Sequence, residues 1–504
     1  MLTEYVEKIL KARVYDVAIE TPLDIMPRLS KKTNNTVLLK REDLQPVFSF
    51  KLRGAYNRMS QLSAEERVQG VVAASAGNHA QGVALSAEKM GISALIVMPK
   101  TTPPIKIEAV QSYGAEIILH GNSYDEACAY AINIAKEQGR TFIHPYDDPE
   151  VIAGQGTIAM EIMRQHPDPI HAIFVPVGGG GLIAGIAAYI KAFWPEIKII
   201  AVEPADAASL KAALEADERV VLDQVGLFAD GTAVRQIGAE PFRIARKTVD
   251  EVVVVDSDEL CAAIMDIFDD TRSIAEPSGA LAVAGAKKYI AREKLKNEHV
   301  VVIDSGANIN FDRLRHVAER AELGERREVL LAATIDEQPG SFQLFCQTLS
   351  DRGITEFNYR YADNQQAQVF VGVRLTGGDS ERQALFTSLD KAGYQWTDFS
   401  DNEMAKLHVR YMVGGHAPQV EDERLFRFEF PERPGALLRF LTRIGQRWNI
   451  SLFHYRNHGA AYGRILVGVQ VPDNEQADFQ EFLDELGYQY WQESDNPAYD
   501  LFLK

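Results

Sequence analysis

The chain has 504 residues, 46% hydrophobic and 25% charged, enough for about three domains with full-sized cores. Its 53 Lys and Arg against 71 Asp and Glu leave a net charge of −18, which repels phosphate backbones, so no nucleic-acid partner is expected. Three scattered cysteines (Cys128, Cys261, Cys346) argue against disulfides and a thiolate zinc site, and eleven histidines without H-x-x-x-H spacing give no reason to assign a metal.

The N-terminal stretch "MLTEYVEKILKARVYD" places charges among apolar residues at helical spacing and holds no signal-peptide core. No apolar run approaches 18 residues without a charge, so no membrane span is expected, and the reading is a cytoplasmic chain. From about residue 35 to 310, short apolar runs alternate with helical patterns. "VQGVVAAS" leads into "GNHAQGVALSAEKMG", "ISALIVMP" into "PPIKIEAVQSYG", and "AEIILHG" into "SYDEACAYAINIAKEQG". "HAIFVPV", "IKIIAVEP", "EVVVVD" and "HVVVID" follow. Unbroken Val/Ile runs suit strands covered on both faces, and helices between them specify doubly wound, mostly parallel α/β sheets. Ligands of such sheets sit beyond the carboxyl ends of the strands, so the loops after these runs are where chemistry is sought.

Four such loops stand out. In "SFKLRGA", Lys51 lies between Phe50 and Leu52 ahead of a helical run. Apolar surroundings lower a lysine pKa, and the neutral amine can form a Schiff base with a carbonyl, although a lysine here can equally snorkel to solvent. "SAGNHAQG" puts Ser75, Gly77, Asn78 and His79 at a helix start, suited to a carboxylate, with Ser75 alternatively a plain N-cap. "VPVGGGGLIAG" sets Gly178, Gly179, Gly180 and Gly181 between a strand and a good helix, where backbone N–H groups and the helix dipole favour a phosphate. A tight turn explains one or two of these glycines, hardly four. Residues 179–184 also fit G-x-G-x-x-A, with Glu203 closing the next strand, so a nicotinamide-dependent dehydrogenase is a rival. In "VVIDSGANIN", Ser305 ends a strand, and its plain alternative is a Ser-Gly turn.

From about residue 328 the chain repeats itself. "DEQPGSFQLFCQTLSDRGITEFNYRYAD" is echoed by "PERPGALLRFLTRIGQRWNISLFHYRNH", and "AGYQW" and "SDN" recur as "LGYQY" and "SDN". Each copy reads strand, helix after Pro-Gly, strand, strand, helix, strand, the ferredoxin-like βαββαβ order, with "HAPQVEDE" (416–423) as a polar linker.

Together "SFKLRGA", "SAGNHAQG", "GGGGLIAG", "EPSGA" (276–280) and "DSGANIN" resemble the pyridoxal-phosphate enzymes of the tryptophan-synthase-β fold type, particularly threonine and serine dehydratases. The doubled tail resembles the ACT-like regulatory domains of the biosynthetic threonine branch. The resemblance implies a catalytic domain at 1–320 and regulatory domains at 328–402 and 423–496. It makes Lys51 the residue that carries pyridoxal 5'-phosphate, Gly178–Leu182 the phosphate cradle, Asn78 the partner of the ring hydroxyl and Ser305 that of the pyridine nitrogen. Ser75, Gly77 and His79 would hold the substrate carboxylate. Ala76 stands where the racemase branch carries a serine base, which favours elimination. The implied reaction is deamination of L-threonine to 2-oxobutanoate, with L-serine as the near alternative substrate. Isoleucine is the implied inhibitor and valine its antagonist, in a homo-oligomer expected to be a tetramer. Tyr359 and Tyr455, equivalent in the two repeats, are candidates for effector or interface contacts, or simply strand packing.

Overall fold

The computed structural model describes residues 2–336, 345, 348–349, 352, 354–360, 366–411, 422–431, 448, 450–456 and 462–503. The chain divides into two compact units, Met1–Ala321 and Glu322–Lys504.

The first unit carries ten strands: β1 (Leu23–Ile25), β2 (Thr36–Arg41), β3 (Val71–Ala74), β4 (Ala94–Met98), β5 (Glu116–Leu119), β6 (Thr141–Phe142), β7 (Ala172–Pro176), β8 (Lys198–Pro204), β9 (Glu251–Val255) and β10 (His299–Asp304). They form two sheets. The larger runs β1-β2-β10-β7-β8-β9 and is parallel apart from β1. The smaller runs β5-β4-β3-β6 and is parallel throughout. Doubly wound, mostly parallel sheets are what the Val/Ile runs call for.

The unbroken apolar strands follow from burial on both faces. Successive side chains of a strand point to opposite sides. Ile173 and Val175 of β7 accordingly join Val301 and Ile303 of β10 in a core with helix Gly181–Phe193. Phe174, Val300 and Val302 face the other way, into a core with helix Pro277–Glu293. Each fully buried Val, Ile or Phe is worth about 1.5–3 kcal/mol. An alternating polar strand would forfeit one of the two layers.

In the second unit, β11 (Glu328–Asp336), β12 (Ile354–Arg360), β13 (Gln366–Arg374) and β14 (Gln395–Asp398) form an antiparallel sheet of order β12-β13-β11-β14. The same order recurs in β15 (Glu423–Pro431), β16 (Ile450–Arg456), β17 (Tyr462–Gln470) and β18 (Gln489–Gln492) as β16-β17-β15-β18. This is the ferredoxin-like strand order. The helices expected after Pro339 and Pro434 fall largely outside the described residues, whereas the second helices are present as Gly378–Lys391 and Gln476–Leu486.

Even the irregularities are duplicated. A register shift interrupts β12 between Ile354 and Glu356, and β16 between Ile450 and Leu452. Past each copy comes a short helix, Glu403–Leu407 or Pro497–Phe502, capped by the Asn of the repeated "SDN". The two caps meet, Asn402 Nδ2 donating to Asn496 Oδ1 at 3.2 Å. Equivalent residues of the two repeats are therefore in contact.

Candidate active site

Lys51 opens helix Lys51–Ser60. Its loop is laced to the end of β10: Phe50 N–H donates to the Ser305 carbonyl at 3.3 Å and Ala307 N–H to the Phe48 carbonyl at 2.9 Å. Leu52, fully buried, turns inward, and Lys51 Nζ donates to the Pro145 carbonyl at 3.0 Å. Burial pushes the Lys51 amine down to about 8, against an opposing pull from the charge of Glu276. One residue beyond Leu52, Arg53 is locked in the interior: its Nε reaches Glu42 at 2.7 Å and its Nη1 reaches Glu161 at 2.6 Å. Lys40 shares Glu161 at 2.6 Å, and all four charged groups are fully buried. Buried charges with every partner in place make a stiff anchor for the start of the Lys51 helix.

Helix Asn78–Met90 lies against that start closely enough that a Cβ on Gly82 would sit 3.0 Å from the Leu52 nitrogen. This contact carries Asn78 toward Lys51. The Asn78 amide is held from both sides, Nδ2 donating to Glu276 Oε1 at 2.6 Å and Oδ1 accepting from Asn308 Nδ2 at 2.7 Å. Asn308 in turn donates to the Val47 carbonyl at 2.8 Å. One Nδ2 hydrogen remains for a ligand. Burial, then the charge of Asp230, pushes Glu276 up to about 7. Asp230 pairs with Lys106 at 2.7 Å, and Lys106, followed by Arg313, holds its carboxyl down at about 2 against the effect of burial.

The four glycines have a packing reason of their own. A Cβ on Gly178 would lie 2.8 Å from Thr232 Cα, one on Gly179 2.1 Å from the Tyr146 ring, and one on Gly181 3.0 Å from the Tyr146 backbone. Gly180 adopts φ +89° and would meet Pro241 at 2.8 Å. The tight-turn alternative thus accounts for all four, contrary to the sequence argument that it covers one or two. Their polar groups carry a second message. Among the described residues no acceptor is found for the N–H groups of Gly178, Gly179, Gly180, Gly181 and Leu182, at the start of helix Gly181–Phe193. N–H groups unpaired within the protein at a helix start are suited to an anion.

Ser305 is buried, and its Oγ donates to the Ser278 carbonyl at 3.3 Å. It follows β10 directly, so the strand-end reading holds. Ser75 is not an N-cap: Gly77 occupies that position without a side-chain cap, and Ser75 Oγ accepts the Gly77 N–H at 3.1 Å. His79 is buried, its Nε2 bonded to the Ile143 carbonyl at 2.9 Å and its Nδ1 without a partner. Burial, then the Lys51 charge, pushes it down to about 3, so the imidazole is neutral. Tyr359 pairs with Val369 and Tyr455 with Ile465 at equivalent positions of β12 and β16, but their side chains lie outside the described residues.

Glu203 is no ribose ligand. It is fully buried and accepts the N–H groups of Leu210 at 2.7 Å and Lys211 at 2.9 Å, closing the start of helix Ser209–Ala216. This removes the acid on which the dinucleotide reading depended. Conversely, Glu276, Asn308, Asp230 and Thr232 were not singled out from sequence. Glu276 and Asn308 do lie inside "EPSGA" and "DSGANIN".

The profile of the family described as "Pyridoxal-phosphate dependent enzyme" matches residues 14–306. The chain belongs to that family. A profile for the C-terminal regulatory domain of threonine dehydratase matches this family member twice, at 319–409 and 414–503. The L-threonine dehydratase biosynthetic IlvA of Burkholderia multivorans is 58% identical over 503 residues, covering 99% of each chain. The mitochondrial threonine dehydratase of Saccharomyces cerevisiae is 52% identical, over 99% of this chain and 89% of its own. Among solved structures, the processed threonine deaminase isoform 2 of Solanum lycopersicum superposes with a TM-score of 0.63 at 51% identity, covering 64% of this chain and 88% of that one. As a pyridoxal-phosphate enzyme the chain has fitting residues: a desolvated lysine and a row of free N–H donors, the complements of an aldehyde and a phosphate.

Proposed function

We propose that this chain deaminates L-threonine to 2-oxobutanoate and ammonia, with Lys51 as the catalytic base. The observation that carries the reading is the Lys51 amine, desolvated to about 8 beside the Asn78–Glu276 pair, in a chain 58% identical along its length to a threonine dehydratase. When bound, pyridoxal phosphate supplies an aldehyde for amine capture and a ring that withdraws electrons from the substrate's α-carbon. The protein supplies the rest. The N–H groups of Gly178, Gly179, Gly180, Gly181 and Leu182 would hold the phosphate, and the free hydrogen of the clamped Asn78 amide the ring hydroxyl. Ser305 would face the pyridine nitrogen with a hydroxyl, which cannot hold a proton there as a carboxylate would. At pH 7.5 roughly a quarter of an amine with pKa near 8 is neutral, against about 0.1% of an ordinary lysine. That neutral fraction lets Lys51 take the α-proton and return it to the departing β-hydroxyl.

Ser75, Gly77 and the neutral His79 would orient the substrate carboxylate. The repeats at 328–402 and 423–496 would bind isoleucine as inhibitor and valine as antagonist, in a cytoplasmic homotetramer. The regulatory-domain match and the duplicated sheets support the effector-binding part of this reading; among the described residues no helix is long and apolar enough to cross a membrane. The test is 2-oxo-acid formation from L-threonine and from L-serine by the wild type and Lys51→Ala. Turnover of threonine above serine, lost in Lys51→Ala, is the expected result. Equal or better turnover of serine would replace the substrate, and activity surviving Lys51→Ala would remove the base.

A further inference from the structure

We propose that His166, Asp168 and His299 form a binding site for a divalent transition-metal ion of the zinc type. One ligand atom from each residue lies within 4.8 Å of the other two. His166 Nε2 and His299 Nδ1 are already 2.9 Å apart, sharing a proton that a metal ion would displace. Zinc–nitrogen bonds of about 2.0–2.1 Å in a tetrahedral set place two nitrogens roughly 3.3 Å apart, so the rings need part by only about half an ångström.

The backbone at both histidines is fixed. His166 closes helix Pro149–Gln165, its N–H donating to the Ile162 carbonyl at 3.0 Å. His299 opens β10, and its carbonyl accepts the His171 N–H at 2.8 Å. Asp168 sits between Pro167 and Pro169, which narrow the loop's conformations. The carbonyl end of a helix favours a cation. Two imidazoles and one carboxylate suit zinc, cobalt, nickel or copper better than magnesium or calcium, and leave a fourth position for water.

The site is separate from the catalytic one. His299 begins β10 and Ser305 follows its far end, about 20 Å away at the usual rise of ~3.3 Å per residue. A bound ion would tie the end of the Pro149–Gln165 helix to the start of β10.

The experiment is calorimetric titration of the chelator-treated holoenzyme with Zn2+, for the wild type, His166→Gln, His299→Gln and the double variant, with Mg2+ as a second titrant. One equivalent of Zn2+ bound by the wild type, weakened at least about tenfold by either substitution and abolished by both, is the expected result. No Zn2+ uptake, or uptake unchanged in the double variant, would overturn the proposal, as would equal affinity for Mg2+. Co2+ absorption on the unsubstituted protein gives an independent readout. An intense visible d–d band that added Zn2+ abolishes supports the four-coordinate site, and a weak octahedral spectrum refutes it.

Discussion

With Lys51 as the proposed carrier of pyridoxal phosphate, its lowered pKa should dictate how fast the protein captures the cofactor at each pH. An amine reacts with an aldehyde only when neutral, and burial sets the Lys51 value at about 8. Between pH 7 and 9 the neutral fraction of such an amine rises from roughly 0.09 to 0.9, about tenfold, and then saturates. An ordinary lysine near 10.5 gains about 100-fold over the same interval and keeps climbing. The assay mixes cofactor-free protein with pyridoxal phosphate at each pH, traps the product with borohydride and locates the label by mass spectrometry. The charge of Glu276 holds the Lys51 value up, and Glu276 itself titrates near 7, so its influence is felt only above that pH. Glu276→Gln should therefore leave capture at pH 6 unchanged and move the midpoint below 8. A rate still rising tenfold per unit between pH 9 and 10, or a midpoint that Glu276→Gln moves upward, would refute the desolvation argument.

Other perturbations probe separate links. Arg53→Met strands Glu42 and Glu161 without their shared partner and should cost about 3–5 kcal/mol in urea unfolding of the first unit; a loss below about 1 kcal/mol would show that the network contributes little. Asn308→Ala frees one side of the Asn78 amide and should weaken pyridoxal-phosphate affinity about fivefold to tenfold, one hydrogen bond's worth, in a fluorescence titration. Ser305→Asp should raise the share of transamination over elimination, read as pyridoxamine phosphate formed per 2-oxobutanoate; an unchanged ratio contradicts the role given to the hydroxyl. Isoleucine inhibition should be lost in the Tyr359→Ala, Tyr455→Ala double variant, and inhibition left intact would return both tyrosines to strand packing.

The parts of the molecule that were legible in the sequence are those whose physics is local. Runs such as "AIFVP" announce a strand buried on both faces, because a five-residue apolar run rich in Val and Ile and followed by glycines is too short for a buried helix. The 95-residue echo from Glu328 to Glu423 announces two copies of one fold. Two-residue β6 and three-residue β1 are too short to carry a pattern. The clamp on Asn78 was hidden for a different reason: it joins residues 198 and 230 positions away, at the far end of two other loops. Glu203 misled because spacing says nothing of direction, and its carboxylate turns inward to close a helix. The glycine run likewise answers to two demands at once, packing at all four positions and leaving its N–H groups free, whereas from sequence a tight turn accounts for only one or two of the four, because close approach of Tyr146, Thr232 and Pro241 is not written in the local residues.

One measurement tests the central claim most directly: the visible absorption spectrum of the purified protein supplied with pyridoxal phosphate, before and after L-threonine. A yellow band near the usual region for lysine-bound cofactor, altered by threonine and absent in Lys51→Ala, is the predicted result. A protein that stays colourless with the cofactor present would remove Lys51 and the glycine N–H groups from the mechanism.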